Sequence, residues 1–347
     1  MPVKLKRAAR NRVVAAALPT RRVTINDVAE AAKVSRQTVT RAMNDMPGIS
    51  VRTKERVLAA ARELGYHPSR FGRGLVRHDH HSLGLVISNL INPYYPELAS
   101  AVVSAAAEQG WTVVLIDSST ADEQRKMISQ MGDQVDALIG YMALSRDELD
   151  ELTPGLPVVR IDADTAKNAP CGVRFDRESG LADAVAHLVD RGARHPVMID
   201  SSVPGEPPSQ RAQSFVALMA KRGVGAGVLQ AAGDQLDHGI RSTERILDEM
   251  PGTDAIMCFN DISAFGALKA LRQRGKDVPG DVRVIGMDGL VAGTYVTPQL
   301  TSLALDMTEV AQVAVTVALG RLNGTIAIGS RTARPKVRHH LVVRESS

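Results

Sequence analysis

The chain has 347 residues, with 42 Lys or Arg against 38 Asp or Glu, 44% hydrophobic residues, 3% aromatic residues and two cysteines. Two isolated cysteines exclude a disulfide scaffold, and no apolar run reaches the roughly 20 residues a helical membrane span needs. The formal charge of +4 hides an asymmetry: residues 1–80 carry 17 basic and 6 acidic side chains (+11), and the remainder carries 25 and 32 (−7), so a basic head suited to phosphate precedes an acidic body.

Residues 1–20 read as a basic flexible arm. The apolar run 13–18 is too short for a secretory leader and is followed by Arg21 and Arg22, the wrong flank. The chain is therefore expected in the cytoplasm. Cys171 and Cys258 sit on strand-like segments and read as buried thiols.

Residues 21–66 carry the signals of a three-helix domain. Thr24 caps a first helix, with Asp27 three residues on. Ser35 caps a second, with Val39 and Met43 four residues apart on one side. A third begins at Ser50 and runs through Val57, Leu58, Ala61 and Leu64 to Gly65. Two short helices joined by a tight turn suit a helix-turn-helix whose second helix enters a DNA major groove. Arg36, Gln37 and Arg41 have side chains fitted to base edges. Thr24, Ser35, Thr38, Thr40 and Asn44 are the other candidate DNA contacts. A small helical bundle with solvated arginines fits the same pattern; the charge asymmetry favours DNA.

Residues 67–81 read as a hinge. Ser69 after Pro68 is placed to cap a turn or two of helix that Gly72 and Gly74 weaken, each by about 1 kcal/mol. Such a helix forms only with support from DNA and a partner chain. Tyr66 and Arg73 are candidate DNA contacts, and Leu75 is a candidate wedge into the minor groove. The simpler alternative is a tether. The histidines at 78, 80 and 81 read as exposed linker rather than a metal site.

Residues 82–344 alternate strand-like runs (82–88, 111–117, 137–141, 157–162, 196–200, 255–260, 282–287) with helical stretches (96–109, 123–132, 177–191, 210–222, 238–250, 262–274). This predicts α/β architecture with parallel sheets covered on both faces, long enough for two. Ligands in such folds bind at the carboxyl ends of strands. That rule selects Asn92, Tyr94 and Tyr95 after the first strand, Arg160 and Asp162 late in the fourth, Asp176, Arg211 at a helix start, Asn260 with Asp261, and Asp288. Carboxylates, amides and arginines converging in a cleft suit a sugar or sugar acid. Asp176 and Asp261 also suit simple helix capping.

The blocks Asp27 to Asn44, Gly65-Tyr66-His67-Pro68, Asn92-Pro93-Tyr94-Tyr95, Asn260-Asp261, Pro279 to Asp288 and Pro298 to Ser302 occur in an order that resembles LacI/GalR-family transcription regulators, from Val23 to about Arg344. The resemblance implies a helix-turn-helix domain followed by a core of two Rossmann-like subdomains similar to periplasmic sugar-binding proteins, crossed by three hinge strands. The subdomains are expected at 82–187 plus 306–332 and at 188–305 plus 333–344. It implies a homodimer on double-stranded, pseudo-palindromic operator DNA, with a small-molecule effector in the cleft. It places Arg36, Gln37 and Arg41 on the recognition helix, Leu75 in the minor groove, and Asp176, Arg211, Asn260 and Asp288 at the effector.

Departures from the family pattern are Lys33 where glycine is usual in the turn, Gly72 for alanine in the hinge, Gly289 where a second acid is common, and Gln235 near a usual aromatic. Tyr94, Tyr95, Phe175 and Tyr295 are the few candidates for stacking on a sugar ring. A sugar-binding transport component and an α/β enzyme are the rival classes. The first lacks support in an export signal; the second lacks it in a dinucleotide or phosphate loop, since Gly223 to Gly227 does not match Gly-x-Gly-x-x-Gly. No cofactor, metal or enzymatic activity is expected.

Overall fold

The computed structural model describes residues 24–43, 46–64, 81–162 and 171–347. Asn44, Tyr66, Arg73 and Leu75, the basic arm and nearly all of the expected hinge lie outside the described residues. The chain divides into two compact units, 1–80 and 81–347.

In the first unit, α1 (Ile25–Ala31), α2 (Arg36–Met43) and α3 (Val51–Glu63) enclose a small core. Val28, Ala32, Val39, Ala42, Val57 and Ala61 form it. Each start is fixed by a side chain. The Thr24 amide donates to Asp27 at 2.7 Å, and the Ser35 and Ser50 hydroxyls accept from the amides of Thr38 at 3.1 Å and Thr53 at 3.2 Å. The α1–α2 turn passes through Lys33 at φ +52°, a left-handed conformation that glycine adopts without penalty and lysine does not.

The second unit contains two six-stranded sheets. The first joins β1 (Ser82–Ile87), β2 (Thr112–Asp117), β3 (Ala137–Gly140), β4 (Val158–Ile161), β5 (Gly172–Asp176) and β11 (Lys336–Arg338) in the order β11-β5-β4-β3-β1-β2. The second joins β6 (Pro196–Asp200), β7 (Gly227–Gln230), β8 (Ala255–Cys258), β9 (Arg283–Asp288), β10 (Thr301–Ala304) and β12 (His340–Val342) in the order β12-β10-β9-β8-β6-β7. All pairs are parallel except β10 with β12. Central strands such as β8, Ala-Ile-Met-Cys, are apolar throughout and buried throughout, as sheets covered on both faces require.

Helices α4 (Tyr94–Glu108), α5 (Ala121–Met131), α6 (Arg146–Leu152) and α11 (Met307–Leu322) belong with the first sheet, and α7 (Arg177–Asp190), α8 (Gln210–Lys221), α9 (Leu236–Glu249) and α10 (Asp261–Gln273) with the second. The subdomain limits differ from those expected. Residues 177–187 leave the first half because Leu181, Ala184, Val185 and Leu188 of α7 pack with Met198, Phe215, Met287 and Leu303. Residues 336–338 join the first half through pairing with β5. The chain thus crosses between halves at three points: after β5, between β10 and α11, and at His339 between β11 and β12. Both cysteines are buried free thiols, their pKa values raised by burial, Cys171 to about 11.

Candidate functional site

On α2 the Arg36 and Gln37 side chains are exposed and have no hydrogen-bond partner among the described residues. Arg41, one turn on, is half-exposed and lies against Gly48. Ser35 and Thr38 share a hydroxyl contact at 2.9 Å that belongs to the helix start, and the Thr40 hydroxyl donates to the Arg36 carbonyl at 3.1 Å. The helix therefore presents two free polar side chains near its start and a guanidinium further along, the arrangement that reading base edges requires.

In the second unit a cleft opens at the carboxyl ends of both sheets. The first half contributes Asn92, Tyr94, Tyr95, Tyr141, Asp162 and Phe175, and the second Arg211, Asp234, Phe259, Asn260 and Asp288. The three crossings supply Arg177, Leu305 and His339. Every point where the chain passes between the halves therefore touches the cleft, so a ligand there contacts the segments on which the halves would move.

The strand-end loops set the side chains. Asn92 accepts from the Tyr94 amide at 3.0 Å and starts α4, which aims both tyrosines inward. The Tyr94 and Tyr141 hydroxyls meet at 2.5 Å, and Tyr95 packs edge-on against both rings. Burial raises the pKa of all three phenols, so they act as neutral hydrogen-bonding groups with apolar faces. Asn260 caps α10 through the Ser263 amide at 2.8 Å and reaches Asp234 at 3.4 Å. Arg177 pairs with Asp162 and sits 5.2 Å from the Phe175 ring centre. Asp162 at φ +60° and Asp288 at φ +124° hold unusual backbone conformations, a strain that concentrates at ligand sites.

Charge is tuned by burial. The Asp261 carboxylate, wholly inside, accepts from the Ser302 hydroxyl at 2.6 Å and the Leu290 amide at 2.7 Å. Gly286 makes room for it: a Cβ there would lie 2.1 Å from the Asp261 oxygen. Desolvation pushes the Asp261 pKa up to about 6. Asp288 is also raised well above the usual carboxylate range, by burial and then by the neighbouring Asp261. His339 is pushed down to about 3 by burial, with Arg177 and Arg211 adding repulsion, so it is neutral at pH 7.

Asn92, Tyr94, Tyr95, Arg211, Asn260 and Asp288 thus meet as the sequence predicts. Two candidates do not join them. Asp176 caps α7 through the Ser179 amide at 3.3 Å, pairs with Lys336 at 3.2 Å and lines the neighbouring groove. Arg160 lines a separate cavity and donates to the carbonyls of Met142, at 2.8 Å, and Leu144. Tyr295 is 78% exposed and outside the cleft, whereas Tyr141 and Phe259, unforeseen, give it a fuller aromatic lining. Tyr141 and Phe259 directly follow β3 and β8, a position that would have signalled them. Arg177 and His339 became visible only with the crossings.

A model of the lacI family of bacterial regulatory proteins matches residues 24–69, and one of periplasmic binding protein-like domains matches 185–347. The ribose operon repressor of Halalkalibacterium halodurans is 30% identical over 327 residues, covering 93% of this chain and 97% of that one. A LacI family transcriptional regulator from Arthrobacter sp. FB24, solved in complex with lactose, is 33% identical with a TM-score of 0.71, covering 77% of this chain and 99% of that one. The lac repressor dimer bound to operator shares the fold at 24% identity and a TM-score of 0.72, over 94% and 99% of the two chains.

Proposed function

This chain belongs to the lacI family of bacterial regulatory proteins and is a DNA-binding transcriptional regulator; from that premise we propose that it is a repressor whose operator affinity is set by a sugar or sugar acid bound in the cleft. The observation that carries the ligand class is the meeting of Arg211, Asn260 and Asp288 with Tyr94, Tyr141 and Asp162 across the two halves. Planar donors, amide and carboxylate acceptors and aromatic faces together match a ring bearing hydroxyl groups.

The repressor acts as a homodimer on a pseudo-palindromic operator, with Arg36, Gln37 and Arg41 reading bases. A ligand that prefers one arrangement of the halves shifts DNA affinity by its differential binding, typically 1–3 kcal/mol. The cleft binds without turnover. No described helix is long and apolar enough to cross a membrane, consistent with action on DNA in the cytoplasm.

The test is a thermal-shift screen of sugars and sugar acids on the full chain, followed by gel-shift titration on an operator selected from random duplexes. A sugar that stabilises the protein and changes operator affinity is the expected result. Absence of any duplex preference at low salt overturns the DNA reading.

A further inference from the structure

The first sheet, in the order β5-β4-β3-β1-β2, reverses direction of growth between β3 and β1. A crevice at such a switch point is where open α/β sheets bind ligands. Here it holds a second cavity of about 200 Å³, beside the cleft and sharing Tyr141 and Asp162 with it. Its wall carries Ser88, Ser118, Ser119 and Arg160.

Most polar groups around this cavity are already committed. Gln124 ties the loop after β3, donating to the Tyr141 carbonyl at 3.0 Å and accepting from the Ala143 amide at 2.8 Å. Ser119 donates to the Ser88 carbonyl at 3.0 Å. Asp162 is engaged by Arg177. Two groups are left over. The buried Ser118 hydroxyl has no hydrogen-bond partner among the described residues. The half-buried Arg160 guanidinium is clasped by two neutral carbonyls and has no carboxylate partner among the described residues. A partly desolvated cation with no carboxylate partner and an unsatisfied hydroxyl in the wall of one cavity are each costly unless a ligand with anionic oxygens completes them.

We propose that this cavity is a second compartment of the effector site, taking the phosphate or carboxylate arm of a sugar whose ring lies in the main cleft. The inference rests on the sugar-binding reading above and narrows its ligand to an anionic derivative.

Calorimetry on the full chain tests it, with glucose, galactose, lactose and cellobiose as neutral probes and glucose 6-phosphate, galactose 6-phosphate, glucuronate and galacturonate as anionic ones. At least one anion binds about tenfold or more tightly than its neutral parent, and the phosphate and uronate arms separate the two anion types. Arg160→Gln brings that ratio to about one. Because Arg160 also clasps the 142–144 loop, Ser118→Ala serves as the second variant: it breaks no protein hydrogen bond and lowers the ratio several-fold. Neutral sugars binding as tightly as the anions, or a ratio unmoved by both variants, overturns the second compartment and leaves the sugar reading standing. Failure of every probe, neutral and anionic, overturns both.

Discussion

The Arg211 guanidinium lies 4.2 Å from the centre of the Phe259 ring and donates to the Phe259 carbonyl at 2.7 Å. One residue thus fixes the other twice, by its face and by its backbone, at the end of β8. The half-buried cation has no bonded carboxylate among the described residues, and Asp288 and Asp162 are the acidic groups that act on it most. Its remaining donors are held in place at the cleft, with little rotamer freedom to lose if the proposed effector binds there.

Arg211→Ala should therefore weaken effector binding by about 2–3 kcal/mol, roughly 30- to 150-fold, the usual effect of removing a charged hydrogen-bond donor. Operator affinity without ligand should stay within about threefold. Arg211→Lys should fail almost as badly, because an ammonium cannot stack flat on the ring and reach two acceptors. Calorimetry and gel shift on the same preparations check both halves of this statement, and a normal titration of Arg211→Ala removes Arg211 from the site.

On the recognition helix, Arg41→Ala should cost about 1–3 kcal/mol of operator preference and leave ligand binding to the core unchanged. Arg36→Ala and Gln37→Ala should act in the same direction, because both side chains project freely from α2. The measurement is competition between specific and random duplex at fixed salt. Equal loss on both duplexes would place Arg41 on phosphate rather than bases.

Legibility followed element type. The strands at 82–87, 112–117 and 196–200 were readable within one residue because each contains an apolar run closed by a polar residue, Ser88, Asp117 and Asp200. β5, β7, β10, β11 and β12 were not, being only three to five residues long and, like Thr-Ser-Leu-Ala, lacking such a run. α11 escaped because it is apolar around most of its circumference and so shows no amphipathic period. In the cleft, Asn92, Tyr94, Tyr95, Arg211, Asn260 and Asp288 were found by the carboxyl-edge rule, whereas Tyr141 and Phe259, which sit at strand ends too, were passed over because polar residues were sought there. Arg177 and His339 were not found, because their role comes from where the chain changes halves, a property of tertiary pairing. Arg160 obeyed the same rule and reached a different cavity, since the edge of one sheet serves two crevices.

His339 should make stability depend on pH. It is 2% exposed, packs edge-on against Phe175 and has no partner for Nδ1 among the described residues. Its pKa of about 3 in the folded chain lies below the roughly 6.5 of an unfolded histidine. The folded state therefore binds the proton less well. The contribution is complete above pH 6.5 and is lost as pH falls from 6.5 toward 3. By pH 5.5 the loss is about 1 kcal/mol. Asp261, raised to about 6, works in the opposite sense, losing stability as pH rises from about 4 through 6. The difference between wild type and His339→Gln isolates the histidine: denaturant melts at pH 7.5 and 5.5 should show the variant losing about 1 kcal/mol less. Equal losses would mean that His339 is protonated in the folded protein.

Lys33 offers a test confined to the first unit. At φ +52° its Cβ crowds the following carbonyl, a penalty of about 1–2 kcal/mol that glycine avoids. Glycine also loses more backbone entropy on folding, which takes back part of the gain. Lys33→Gly should therefore stabilise α1 and α2 by about 0.5–1 kcal/mol net, and the exposed lysine side chain gives up no apolar burial in exchange. In the full chain this appears as amide exchange in α1 and α2 slowed about two- to fivefold, with the second unit unaffected. Faster exchange would mean that the lysine stem stabilises the turn by more than the left-handed backbone costs.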